Sequence, residues 1–140
     1  MAKAYVDSNV FISLIHDEFG KNLEFMAYRS EELFDRVLSC LHTIVVSKQV
    51  LMEISKITLL TEEELKKYFS RYRDKIKIVR PTLKDFKLAE EFNKKHKIGK
   101  MDSLYILSAI KEGCDCIVTW NKKHFVVASD RIKILDPGEL

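Results

Sequence analysis

Four carboxylates stand in this sequence where a carboxylate needs a reason. Asp7 directly follows an apolar run, Ala2 to Val6, and precedes Ser8, Asn9 and a second apolar run. Glu53 lies among Leu51, Met52 and Ile54. Asp102 heads the strongly apolar stretch Leu104 to Ile110, and Asp115 stands just before another, Cys116 to Val118. Acidic side chains are seldom buried without a partner. Helix capping accounts for Asp7, Asn9 or Asp102 taken singly, each cap being worth about 1 kcal/mol. It does not account for Glu53, which falls inside a predicted helix, where only a solvent-facing position would explain it. If the carboxylates converge instead, their repulsion calls for a cation, and an all-oxygen set suits Mg²⁺ or Mn²⁺. Such an ion activates a water and stabilises charge on a phosphodiester undergoing in-line displacement. The chemistry expected of the set is that of a nuclease.

The elements that must position these residues follow from pattern. Ala2 to Val6 reads as a buried strand stopping at a polar turn, and the helix that begins at Asn9 loses its pattern near Gly20. Ser30, with Glu31 and Glu32 in the first turn, caps a helix whose face is Leu33, Phe34, Val37, Leu38 and Leu41. Thr43 to Val46 is a second buried strand, and Ser47 caps a short helix carrying Val50, Leu51, Glu53 and Ile54. Thr61 and Glu64 form a capping box ahead of the stripe Leu65, Tyr68, Phe69 and Tyr72. Lys75 to Val79 alternates like a strand near a sheet edge. Pro81 and Thr82 open a helix with Leu83, Phe86, Ala89 and Phe92 inward, and Gly99 breaks it. Asp102 then starts the central helix, which Gly113 ends. Cys116–Val118 and Ile132–Leu135 are the last strands, with a loop and helical turn over Thr119–Phe125 between them. Short apolar strands alternating with amphipathic helices call for an α/β fold with a parallel sheet covered on both faces. Ligands of such sheets bind beyond the carboxyl ends of the strands, where Asp7 falls.

Composition narrows the class. At 140 residues and 46% hydrophobic, the chain is expected to form one domain over residues 1–140 with a packed core. No apolar run approaches the roughly 20 residues needed to span a bilayer. The N-terminus lacks the apolar region of a signal peptide, so a cytoplasmic protein is expected. Cys40, Cys114 and Cys116 are an odd set with no histidine near enough to complete a zinc site, and read as buried thiols. The net charge of +3 is unevenly placed: Lys87, Lys94, Lys95, Lys97 and Lys100 face only Glu90 and Glu91, a local excess equal to that of the whole chain. Arg71, Arg73, Lys75 and Lys77 form a second cluster. Either patch suits nucleic-acid phosphates, and either is equally a solvated helix face.

The order of motifs is recognisable. Val-Asp-Ser-Asn-Val-Phe-Ile, a glutamate in the helix after the second strand, Lys-Met-Asp-Ser-Leu-Tyr-Ile-Leu-Ser-Ala and Val-Thr-Trp-Asn-Lys-Lys-His-Phe together resemble the PIN-domain family, including toxin ribonucleases of VapC type. The likeness covers nearly the whole chain. It implies a three-layer α/β/α fold with a central parallel sheet of order 3-2-1-4-5, an acidic cluster binding Mg²⁺ or Mn²⁺, and cleavage of RNA. Homodimers and a small inhibitory antitoxin are also implied. Matched position by position, Asp7, Glu53 and Asp102 are the first three acids, and Thr119 is the Thr or Ser at the end of the fourth strand.

The fourth acid is where the chain departs, because the family's Asp falls at Asn121 or at His124. The Asn121 amide oxygen can hold a metal-bound water, which places Asn121 in the catalytic set, and His124 can ligate a softer metal or act as a base. The bland alternatives are an N-cap for Asn121 and an ordinary surface role for His124. Losing one negative charge weakens Mg²⁺ binding and leaves a second metal in doubt. Ser8, Asn9 and Ser103 are at most supports for the acids. A degenerate PIN module that binds RNA or protein without cutting is the competing reading. A receiver-like domain fits poorly, since Asp7 is followed by Ser8 and Val79 by Arg80 and Pro81.

Overall fold

Ala4, Tyr5 and Val6, like Ile44, Val45 and Val46, are apolar at consecutive positions and are all buried. A strand with no face for water must lie inside a sheet covered on both sides, and that is the arrangement formed. The computed structural model describes residues 2–16, 33, 35, 36 and 42–140. Its strands are β1 (Ala2–Val6), β2 (His42–Ser47), β3 (Ile76–Val79), β4 (Cys116–Val118) and β5 (Lys133–Leu135). The labelled helices are α1 (Ser8–His16), α2 (Lys48–Thr58), α3 (Glu62–Phe69), α4 (Leu83–His96) and α5 (Lys100–Lys111). All strands run parallel in the order β3-β2-β1-β4-β5. Helices flank the sheet in three layers: α1 packs on α2, while α4 packs on α5, which lies against β1, β2 and β4.

Local chemistry explains the boundaries. Ser47 caps α2 by accepting the Val50 N–H, and Thr61 with Glu64 forms the expected capping box at α3. Thr82 forms a second box with Asp85 at α4. Beyond α3, a 3-10 helix over Ser70–Lys75 leads into β3 at the sheet edge. Leu65, Phe69 and Tyr72 are buried in the core, with Phe69 edge-on to Phe11 of α1 at 5.1 Å. No helix among the described residues is long and apolar enough to cross a membrane.

Some expectations change. Leu83 is 82% exposed rather than inward. It is the first residue of α4, a turn that runs past the end of its partner, since α5 finishes at Lys111 beside Asp85. Helix α5 begins at Lys100, two residues before Asp102, because the Gly99 carbonyl already accepts the Ser103 N–H. Cys116 is buried and Cys114 half-buried; burial pushes each thiol up to about 11, so both stay protonated at neutral pH. Of the helix expected from Ser30 to Leu41, Leu33 is helical and buried; Ser30, Glu31, Glu32, Phe34, Val37, Leu38 and Leu41 lie outside the described residues, as do Gly20 and Cys40.

Candidate active site

The sheet order places the topological switch at β1, whose neighbours β2 and β4 lead away in opposite directions. Asp7 leaves the carboxyl end of β1, and its N–H donates to the Val118 carbonyl at 3.0 Å, continuing the β1–β4 pairing by one step. Thr119 leaves β4 beside it. The Thr119 hydroxyl donates to Asp7 Oδ2 at 2.8 Å, and accepts from Asn9 Nδ2 at 3.3 Å and the Asn121 N–H at 3.0 Å. Every hydrogen-bonding capacity of that hydroxyl is used, which fixes its proton toward Asp7. Asn9 in turn accepts the Trp120 N–H at 3.2 Å. Asp7 Oδ1 accepts the Ser8 N–H at 2.7 Å.

Glu53 comes from the middle of α2, and Ser8 connects it to Asp7. The Ser8 hydroxyl donates to Glu53 Oε2 at 2.7 Å, while the Tyr105 hydroxyl donates to Glu53 Oε1 at 2.6 Å. Tyr105 lies on α5, one turn after Asp102, and its buried ring packs 5.9 Å from that of Tyr5. Residues three apart share a helix face, so α5 presents Asp102 and Tyr105 together. Sequence reasoning counted Tyr105 only among the apolar residues of this helix; its spacing from Asp102 was the signal. Burial and the Glu53 charge hold the Tyr105 hydroxyl well above its usual range, so it remains a donor.

The three carboxylates act on one another. Burial pushes Asp7 up to about 6, against the lowering effect of Thr119 and Ser8, and the charges of Glu53 and Asp102 raise it further. Asp102 is also raised, chiefly by burial, with His124 opposing and Glu53 adding to the shift. As the side chains stand, no three His, Cys, Asp or Glu residues among those described are grouped tightly enough to hold a metal ion. The chemistry of the donor set nonetheless fits a hard cation. It offers only oxygens, it is like-charged, and Asp7 bears the cost of a negative charge in a buried place.

Asp102 is not a cap. It is the third residue of α5, whose N-cap Gly99 has no side chain to offer. Asp115 does not join the cluster: its carboxylate accepts the Lys3 N–H at 2.8 Å, at the amino ends of β1 and β4. His124 places Nδ1 3.5 Å from Asp102 Oδ2. Asn121 is exposed, and its side chain makes no capping bond for the turn it precedes. Its link to the acids runs through its backbone N–H and Thr119. Lys87, Lys94, Lys95, Lys97 and Lys100 are all exposed on α4, the turn that follows it and the first residue of α5. The side chains of Arg71 and Arg73 lie outside the described residues.

Tyr105→Phe tests the Glu53 contact. The hydrogen bond it removes is charge-assisted but half-solvated, so a cost of about 1 kcal/mol in stability is expected. Turnover should fall by about tenfold, the lower range for partners that orient a ligating group. Thermal melts and cleavage assays on the same preparation measure both; wild-type turnover would show that Glu53 needs no such support.

No curated protein matches the chain. A family model described as PIN domain matches residues 4–129. That match spans well over half of the sequence, and the chain belongs to the PIN-domain family, whose members are typically nucleases that use divalent metals.

Proposed function

We propose that this protein is an endoribonuclease that depends on Mg²⁺ or Mn²⁺, held by Asp7, Glu53 and Asp102. The observation that carries the reading is the hydrogen-bonded network at the carboxyl end of β1, in which Ser8 binds both the buried Asp7 carboxylate and that of Glu53, and Thr119 and Tyr105 hold the two from either side. A bound divalent ion would supply Lewis acidity for attack on a phosphodiester and neutralise charge gathering there. The chain's own contribution is positioning. Thr119 and Ser8 fix the Asp7 carboxylate, and Tyr105 and Ser8 fix that of Glu53. Asp102, in the first turn of α5, stands near enough for the Glu53 charge to act on it, and would be the third ligand. Asn121, on the loop beyond Thr119, completes the proposed set, its amide oxygen suited to holding a water.

The likeness of the motifs to VapC-type ribonucleases supports a finer reading: the toxin of a toxin–antitoxin pair, working in the cytoplasm as a homodimer and restrained by a small antitoxin. Met52, Ile57 and Leu59 are exposed at 59%, 51% and 85%, and are apolar surface that such a partner would cover. The second reading, a module that binds RNA without cutting it, rests on the missing fourth acid at Asn121 and His124. Calorimetric titration with Mn²⁺ and cleavage of end-labelled RNA separate the two. The nuclease is expected to bind Mn²⁺ at or below millimolar concentration and to lose all cleavage in EDTA, regaining it when Mn²⁺ is restored. Absence of Mn²⁺ binding in the millimolar range would favour the non-cutting module.

A further inference from the structure

We propose that the altered fourth corner is an anion subsite, in which Lys97 and Lys123 hold an RNA phosphate flanking the one that is cut. The inference rests on the nuclease reading and gives its substrate a specific seat. A depression of about 350 Å³ opens directly beside Asp102, lined by Lys97, Ile98, Gly99, Asp102, Lys123 and His124. Gly99 leaves room beside the carboxylate: a Cβ there would stand 3.2 Å from Asp102 Oδ2, a tight contact.

The two lysines are equipped for a phosphate. Both are exposed, and among the described residues neither makes an ion pair. The neighbouring Lys122 is different, being tied to Glu139 and Asp136. Lys97 also closes α4 in the left-handed conformation, at φ 54°. Glycine or asparagine adopts that conformation at much lower cost, so a lysine there keeps its charge at a backbone penalty. Charge balance points to the same occupant. Three carboxylates with one divalent ion still leave a negative centre, and a polyanion running past it needs cations close by. Acidic residues at this corner would add to the repulsion, whereas two ammonium groups relieve it.

The test is binding of a fluorescein-labelled single-stranded RNA, followed by anisotropy in EDTA so that nothing is cut. The Lys97→Gly/Lys123→Ala double variant is expected to bind about tenfold more weakly, with a salt slope smaller by about 0.7, the value for one single-strand phosphate that is no longer neutralised. Lys94→Ala/Lys95→Ala removes the same charge from the last turn of α4 and should change affinity less than twofold. Equal losses in the two double variants would overturn the proposal, because they would report net charge alone. Lys97→Gly by itself should melt at or above the wild-type temperature, which separates weak binding from poor folding. Mn²⁺ binding and RNA cleavage measured on the wild type distinguish failure of the subsite from failure of the nuclease reading. A protein that cuts RNA but binds it equally well without these lysines loses the subsite and keeps the nuclease. One that fails to cut, yet loses RNA affinity selectively with Lys97 and Lys123, keeps the subsite and loses the nuclease.

Discussion

Replacing Asp7 with asparagine is expected to make the metal-free protein more stable at neutral pH while abolishing its activity. The carboxyl ionises near 3.8 when unperturbed and at about 6 in the fold, chiefly because it is buried. Between about pH 4 and pH 6 the folded chain therefore keeps a proton that the unfolded chain has released. Stability falls as pH rises through that window and stays lower above it. At about 1.4 kcal/mol per pH unit, the difference amounts to at most about 3 kcal/mol at pH 7. Asparagine cannot ionise, and its oxygen can still accept the Ser8 N–H; its amide group faces the Thr119 hydroxyl, whose acceptor positions are already taken, so the bond lost there offsets about 1 kcal/mol of the gain. The variant should melt above the wild type at pH 7 and slightly below it at pH 4. Mn²⁺ should raise the melting temperature of the wild type by mass action and leave that of the variant nearly unmoved. Cleavage should drop by about a thousandfold, equivalent to about 4 kcal/mol of transition-state stabilisation. A variant that melts below the wild type at pH 7, or that gains equally from Mn²⁺, would refute the account of Asp7.

Asp102→Asn is expected to be equally damaging to cleavage but nearly silent in stability. Asp102 occupies the third position of α5 and makes no cap whose loss would fray the helix. Its charge gains from the helix dipole by about 0.3–1 kcal/mol. That gain is offset by the burial and the Glu53 charge that raise its carboxyl. The net change should stay within about 0.5 kcal/mol. Single-turnover cleavage, by contrast, should fall about a thousandfold, because one of the three carboxylates proposed to hold the metal becomes neutral. Circular dichroism melts beside the kinetics make the comparison. Cleavage at the wild-type rate in a folded Asp102→Asn protein would remove Asp102 from the site.

Much of the architecture was legible because buried parallel strands need no polar face. The runs at Ala2–Val6, Thr43–Val46 and Cys116–Val118 announce themselves without alternation, and their boundaries fall within a residue or so of those formed. Strand order was not legible from periodicity, since pairing is a long-range property; it came from the order of the motifs. Helix starts were readable where a side chain does the capping, as at Ser47 and Thr61, and misread where none does, as at Gly99. Leu83 was in phase with the inward face of its helix, yet phase does not say where the neighbouring helix stops. Within the site, the acids stood out because charge amid apolar residues is conspicuous. Tyr105 did not, because a tyrosine reads as core until its hydroxyl is seen to meet Glu53. Asp115 had the right type at the wrong end of its strand.

The bond between Thr119 and Asp7 joins residues 112 positions apart. During synthesis β1 can acquire β2 as a neighbour early, but β4 must emerge before its other edge is covered. Until then, Asp7 has neither the hydroxyl that orients it nor the backbone carbonyl that accepts its N–H. A nascent or truncated chain ending before residue 116 is thus born without a finished centre, whatever its earlier elements have folded into. On the proposed ribonuclease reading, competence to cut would arrive as one late event rather than by degrees, and a growing polypeptide would be kept from acting on RNA until β4 has joined the sheet.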